Sequence, residues 1–199
     1  MDASYVLLGF WWVLYCFLHS LLASLWLKQK AQKLMGQGFV HYRLLYTLFA
    51  FVSLFALVFY QLNLTPVLLF TSTLAFYTGL VIALFGLILM GICIKKYFMS
   101  LSGLRSLFQE RPSHQLIISG VHRYVRHPLY LGTFAFLWGF FLVKPHLSLL
   151  ISNTIITLYT VYAITLEETK LVDEFGEDYR RYQAAVPKLL PRLFAQRRV

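Results

Sequence analysis

The sequence predicts an all-α, polytopic integral membrane protein. Three observations carry that expectation. Of 199 residues, 59% are hydrophobic and only 13% charged, against about 45–50% apolar and about 25% charged in a soluble domain. The apolar residues gather into five runs, at residues 4–27, 44–62, 67–94, 129–143 and 147–166, and about 20 apolar residues suffice to cross a bilayer core. The links between the runs also differ in charge. The first carries Lys28, Lys30, Lys33 and Arg43, and the second (Asn63-Leu64-Thr65-Pro66) carries no charge. The third holds Lys95, Lys96, Arg105, Arg111, Arg123 and Arg126, the fourth is the tight turn Lys144-Pro145-His146, and the tail is basic again at Arg192, Arg197 and Arg198. By the positive-inside rule the N-terminus faces out and the first link, third link and tail face the cytosol.

Each run has its own logic. The first is expected to span rather than to be a removed signal, because Met1-Asp2-Ala3 supplies no basic n-region and the run is too long. Cys16 in this run and Cys93 in the third behave as small hydrophobes. No disulfide framework or CxxC spacing exists, so no metal is expected. Fifteen residues in the fourth run reach only about 22 Å as a helix. It either begins earlier, with Pro128 in its first turn, or dips in as half of a re-entrant hairpin. Gly79, Ala83 and Gly86 on the third run, and Gly132 and Gly139 on the fourth, allow close helix packing.

Beyond Leu166 the character changes, with Glu167, Glu168, Asp173, Glu174, Glu177 and Asp178 making six of the eight acids in the chain. Leu171, Phe175 and Tyr179 recur at helical spacing. The fifth span therefore continues into an amphipathic cytosolic helix, bent at Gly176 and stopped by Pro187 and Pro191. The expected organisation is a single domain over residues 1–199, with a three-helix N-terminal part (1–94) and a core (95–199).

The formal charge of +10 raises nucleic acid as a partner, but no basic face interleaved with stacking aromatics is present. No obligate protein partner is evident, and membrane lipid is the expected surrounding. Six scattered histidines lack the HxxxH and HxxHH clusters that a diiron hydroxylase needs. The informative residues are Arg126-His127-Pro128-Leu129-Tyr130 and Glu167-Glu168. Ionisable groups at the ends of spans mark a functional site by default. The helical hairpin between them returns Glu167 to the membrane face of Tyr130. Each residue taken singly has a plainer reading: Arg126 as a headgroup anchor, Pro128 as a helix start, Glu167 paired with Lys170, Tyr124 and Tyr130 as interfacial aromatics. Their joint occurrence argues for one polar site.

The order of these residues resembles the isoprenylcysteine carboxyl methyltransferase superfamily. His114-Gln115-Leu116-Ile117, Gly120 and Arg126-His127-Pro128-Leu129-Tyr130 are followed one hairpin later by Glu167-Glu168-Thr169-Lys170-Leu171. Phe175-Gly176-Glu177-Asp178-Tyr179-Arg180-Arg181-Tyr182 and Val186-Pro187 complete the pattern. The resemblance implies an integral membrane methyltransferase using S-adenosyl-L-methionine without a Rossmann domain, its cofactor pocket formed by the hairpin and the C-terminal helix. Carried over by motif, His114, Gln115, Leu116 and Ile117 line the cofactor, His127, Pro128, Leu129 and Tyr130 close another wall, and Glu167 holds a polar end. His122 stands where relatives often have Tyr. Arg126, His127, Glu168 and His122 are the catalytic candidates.

The residues suit such a ligand. Glu167 can accept from an ammonium or from hydroxyls, Arg126 can offer a fork to a carboxylate, and His122 or His127 can take a proton from a thiol. His19-Ser20 with Arg43 and Tyr46 resembles the N-terminal half of the bacterial methanethiol methyltransferase-like and NnrU-like branch, as does Ser102-Gly103-Leu104-Arg105. The first four are second-rank substrate candidates beside the plainer readings of interhelical glue and interface anchoring. Prenylcysteine methyltransferases place an Arg four residues before the first Glu, and here that position is Ala163. A small or lipid-soluble acceptor is thus expected, a thiol first. Phospholipid amine or prenylcysteine carboxyl methylation, a NADPH-dependent sterol-reductase-like enzyme, and a membrane scaffold or transporter are the alternatives.

Overall fold

A computed structural model describes residues 2–101, 116 and 118–191, with side chains of 96–101 excepted. Among the described residues all regular structure is helical, apart from one isolated bridge between Leu68 and His146. The helices are α1 (Ala3–Ala23), α2 (Leu25–Met35), α3 (Tyr42–Leu62), α4 (Thr73–Leu101), α5 (Pro128–Val143), α6 (Leu147–Phe175) and α7 (Glu177–Ala185), with 3-10 turns at Gly36–His41 and Gly120–Arg123. Four helical stretches are long and apolar enough to cross a membrane: Ala3–Ala23, Leu25–Leu62, Thr73–Lys95 and Leu147–Phe175. α5 is apolar but has only 16 residues. Large apolar side chains such as Val6, Phe51 and Val81 lie exposed on α1, α3 and α4. Surfaces of this extent need cover, and lipid supplies it. The protein is an integral membrane protein.

Two of the predicted runs change shape for local reasons. The first breaks at Ser24, whose backbone is extended. Its hydroxyl donates to the Leu21 carbonyl at 2.7 Å and accepts from the Leu27 amide at 3.2 Å, ending α1 and starting α2. A serine oxygen competes well for backbone groups at a helix end. The third run begins as extended chain rather than helix. The Leu69 amide donates to the Pro145 carbonyl at 2.8 Å and the Leu147 amide to Val67 at 2.9 Å. Only at Ser72, whose hydroxyl accepts from the Ala75 amide at 3.2 Å, does α4 begin. The apolar residues 67–70 are thus paired with the tight turn, and hydropathy alone does not separate such a segment from a span.

The described residues fall into two compact units. One holds α1, α2, α3 and residues 145–156. Its core is Tyr5, Leu8, Trp12 and Leu57, joined by Ile151 and Ile155. Its buried polar atoms form a chain: Trp12 Nε1 donates to Gln61 Oε1 at 3.0 Å, and Gln61 Nε2 donates to Ser152 Oγ at 3.2 Å.

The other unit holds most of α4, all of α5, the remainder of α6, and α7. Here α4 and α5 touch through glycine. A Cβ on Gly79 would lie 2.6 Å from the Gly139 carbonyl oxygen, and one on Gly86 would lie 2.6 Å from that of Gly132. No side chain fits at those distances, so these residues let two backbones meet. Gly176, at φ +56°, separates α6 from α7. That left-handed conformation is cheap for glycine and costly for other residues.

Candidate functional site

The residues just before α5 belong to the second unit. Pro128 disfavours helical geometry in the residue before it, and His127 sits at φ −121°, ψ 64° as the N-terminal boundary of α5. With their backbone outside the helix, Arg126 and His127 are free to pair elsewhere. The Arg126 amide donates to the Pro187 carbonyl at 2.9 Å and the His127 amide donates to the Lys188 carbonyl at 3.1 Å. The segment after α7 thus runs beside the segment before α5. Its position is held by Tyr179, Tyr182 and Val186, a buried cluster packed against Leu116, Ile118, Leu171 and Phe175. The Tyr182 hydroxyl donates to the His122 carbonyl at 2.6 Å.

Glu168 collects donors from three parts of the chain. Its Oε1 accepts from Arg126 Nε at 2.8 Å, lies 2.8 Å from Arg126 Nη2, and lies 3.1 Å from His127 Nε2. Its Oε2 is 3.3 Å from Lys188 Nζ and accepts from Gln183 Nε2 at 3.4 Å. Arg126 Nη1 donates to the carbonyls of Gln183 and Val186. The side chains of Arg126, His127 and Glu168 are each less than 10% exposed. Burying charge of this kind is tolerated only where every ionised group is paired, and this network meets that demand from within.

Glu167 is placed differently. One residue along α6 turns it about 100° from Glu168, and its side chain is 45% exposed. Its Oε2 accepts from the Tyr130 hydroxyl at 3.0 Å and lies 4.0 Å from His127 Nδ1. The His127 and Tyr130 rings stack, with centroids 5.7 Å apart and planes 25° from parallel. A half-open carboxylate beside two stacked rings can take a donor-rich, flat ligand. Close by, burial and the Glu168 carboxylate push the Tyr179 phenol up to about 12, so it stays a neutral hydroxyl.

The structure thus brings Arg126, His127, Glu168, Tyr130 and Glu167 together. Arg126 spends its fork on Glu168 and on backbone carbonyls rather than facing open space. Pro128 is fully buried as the first residue of α5, and Leu129 follows it, half-buried. Leu116 packs on the tyrosine cluster, and His122 meets it through its backbone. His114, Gln115, Ile117 and the 102–105 stretch lie outside the described residues. Gln183 and Lys188 join the network without belonging to any motif in the sequence. Val186-Pro187 was the only signal, because it marks where the chain leaves α7.

In the first unit the Tyr46 hydroxyl lies 2.9 Å from His19 Nε2 and 3.1 Å from Nδ1. Ser20 is exposed on α1 and Arg43 on the first turn of α3. His19 also lines a cavity of about 380 Å³ between α1 and α3, walled by Trp11, Leu14, Phe49, Ala56 and Leu57 among others. No residue of the Arg126–Glu168 network belongs to that wall.

Fold and site together define an integral membrane protein with a buried arginine–histidine–glutamate network where its spans meet polar chain. A family profile described as phospholipid methyltransferase matches residues 74–178, over half of the sequence, and the chain belongs to that family. Among similar proteins, methanethiol S-methyltransferase 2 of Bradyrhizobium diazoefficiens is 40% identical over 79 residues, covering 39% of this chain and 29% of the relative. Protein-S-isoprenylcysteine O-methyltransferase of Schizosaccharomyces pombe is 35% identical over 79 residues, covering 39% and 34%. The mouse protein of that name is 32% identical over 128 residues, covering 57% and 40%. Each match spans less than half of the relative's length. No solved structure matches the chain.

Proposed function

We propose that this protein is an S-adenosyl-L-methionine-dependent membrane methyltransferase acting on a small or lipophilic acceptor, a thiol first. The observation that carries the reading is Glu167: a half-exposed carboxylate, held by Tyr130 and flanked by stacked rings, inside the stretch that the family profile covers. The donor set suits the cofactor. Glu167 keeps acceptor capacity for an ammonium or for ribose hydroxyls, and the rings of His127 and Tyr130 offer flat apolar faces to an adenine. His114, Gln115, Leu116, Ile117, Pro128 and Leu129 belong to the same proposed site by motif.

When bound, S-adenosyl-L-methionine supplies a methyl group activated on a positively charged sulfur. The protein's own work is alignment and exclusion of water. Alignment of acceptor and methyl donor is the main lever for an in-line displacement. Arg126 and Glu168, with every donor and acceptor engaged, hold His127 and the start of α5 rigid, and His127 is the group placed to receive the acceptor's proton, ahead of His122. Alanine at position 163 leaves no cation four residues before Glu167, which favours an uncharged acceptor such as a thiol over a prenylcysteine carboxylate. Names of relatives that act on methanethiol point the same way.

Five spans, with α5 as the short one, an outward N-terminus and cytosolic α7 in a bacterial inner membrane complete the proposal, as does one domain whose residues 95–199 form the cofactor-binding core. The experiment is equilibrium binding of labelled S-adenosyl-L-methionine and of NADPH to detergent-solubilised protein. Methyl transfer is then assayed across small thiols, prenylated thiols and lipid amines. Saturable binding of the methyl donor with product from a thiol supports the reading; binding of NADPH alone, or of neither by folded protein, overturns it.

A further inference from the structure

We infer that Glu168, clamped by Arg126, fixes His127 as the tautomer carrying its proton on Nε2, and so makes Nδ1 the proton-accepting atom of the site. The argument begins with the carboxylate. Glu168 Oε1 lies 2.8 Å from both Nε and Nη2 of Arg126. A carboxylate so engaged is ionised and can only accept. His127 Nε2 stands 3.1 Å from that same oxygen. Two lone pairs at this distance repel, so the nitrogen must carry the hydrogen and donate it. A neutral imidazole has one N–H, which leaves the lone pair on Nδ1.

The surroundings of Nδ1 complete the device. Glu167 Oε2 is 4.0 Å away, beyond hydrogen-bond reach, and accepts from Tyr130 instead. Nδ1 therefore points to the half-exposed side of the network while Nε2 points to its buried side. The arrangement follows the logic by which a buried carboxylate orients a catalytic histidine, with an arginine added that keeps the carboxylate from taking the proton itself. Lys188, 3.3 Å from the other oxygen, acts in the same sense.

This deepens the proposed methyl transfer and rests on it for the origin of the proton. The S–H bond of a thiol acceptor breaks with its electron pair left on sulfur, and the proton forms an N–H bond at Nδ1. The resulting imidazolium lies between Glu168 and Glu167. Glu168 and Arg126 are positioning residues in this scheme, because neither touches the reacting atoms.

The test reads the tautomer directly, without methyl donor or acceptor. Full-length protein labelled with 15N-histidine is placed in lipid nanodiscs, and long-range proton–nitrogen correlations are recorded, with His127→Gln assigning the signals. The expected spectrum has Nε2 protonated and Nδ1 unprotonated. Protonation of Nδ1 instead, or of both nitrogens, overturns the inference. A second arm compares variants: Glu168→Ala should convert His127 to a mixture of tautomers, and Glu168→Asp should restore the single form. Should the alanine variant fail to fold, the wild-type spectrum alone decides. In the assay, Glu168→Ala should lower kcat about 100-fold or more, the range of general-base catalysis, with methyl-donor affinity within about threefold of wild type. Loss of donor binding with kcat kept would make Glu168 a ligand and overturn its positioning role. A protein that showed the Nε2–H tautomer yet bound no S-adenosyl-L-methionine would sink the proposed function and leave this inference standing.

Discussion

The two units each set a histidine against a polar partner, and they do it with different chemistry. In the first, His19 meets the hydroxyl of Tyr46 beside an apolar cavity of about 380 Å³. In the second, His127 meets a carboxylate that also holds an arginine, a lysine and a glutamine. The cavity has room, but its lining is mostly apolar, with His19, Ser53, Tyr15 and Tyr60 as its polar members and no acid or strong base among them. The charged network has little room left, yet it contains groups able to hold and move a proton. Space and chemistry are separate signals, and a site for a charged methyl donor is better sought where the ionised groups are.

Substitutions in each unit test that contrast, and the largest effect is expected at Arg126. Arg126→Ala leaves Glu168 buried without its main cation, and breaking a buried pair costs roughly 3–5 kcal/mol. Unfolding in detergent measures it, and a loss below about 1 kcal/mol would put this network on a level with the neutral pair. Glu167→Ala comes next. Losing a hydrogen bond to a charged group is worth about 1.5–3 kcal/mol, so S-adenosyl-L-methionine binding should weaken about 10- to 100-fold with little change in stability, because the side chain is half-exposed. Unchanged affinity in a binding titration would remove Glu167 from the site.

Smaller effects sharpen the comparison. Gly176→Ala forces a β-carbon into a left-handed backbone at a cost of about 1–2 kcal/mol, at the turn that sends α7 back toward Arg126. Thermal unfolding should detect it, and no change would mean the turn adapts without strain. Tyr46→Phe should cost least, about 1 kcal/mol for one neutral hydrogen bond. A drop in methyl transfer far beyond that loss of stability would move the first unit from structural support to a substrate role.

Much of the site was legible in the primary structure because its residue types are expensive near lipid. Arg126, His127, Glu167 and Glu168 stand out for that reason alone, and Tyr130 follows from the hairpin that returns Glu167 to it. Partner choice was not legible. Glu167 and Glu168 are neighbours in sequence, and only the rotational setting of α6 decides which acid is buried on Arg126 and which faces outward. The Arg126 fork suits a ligand carboxylate by residue type, yet its hydrogen bonds go to Glu168, Gln183 and Val186. The boundaries at Ser24 and Ser72 escaped because a hydropathy run is blind to a hydroxyl that caps a helix and to an apolar extended segment paired with a turn.

The amino-acid order by itself settled that this chain lives in a bilayer, roughly where its helices run, and which ionisable side chains stand at the ends of its apolar runs, since all of these depend on local hydropathy and residue type. Tertiary structure alone decided that the chain after α7 lies against the chain before α5, and that one carboxylate gathers donors from residues 126, 127, 183 and 188. Such partnerships are set by helix register and by contacts between residues tens of positions apart, which no local pattern encodes.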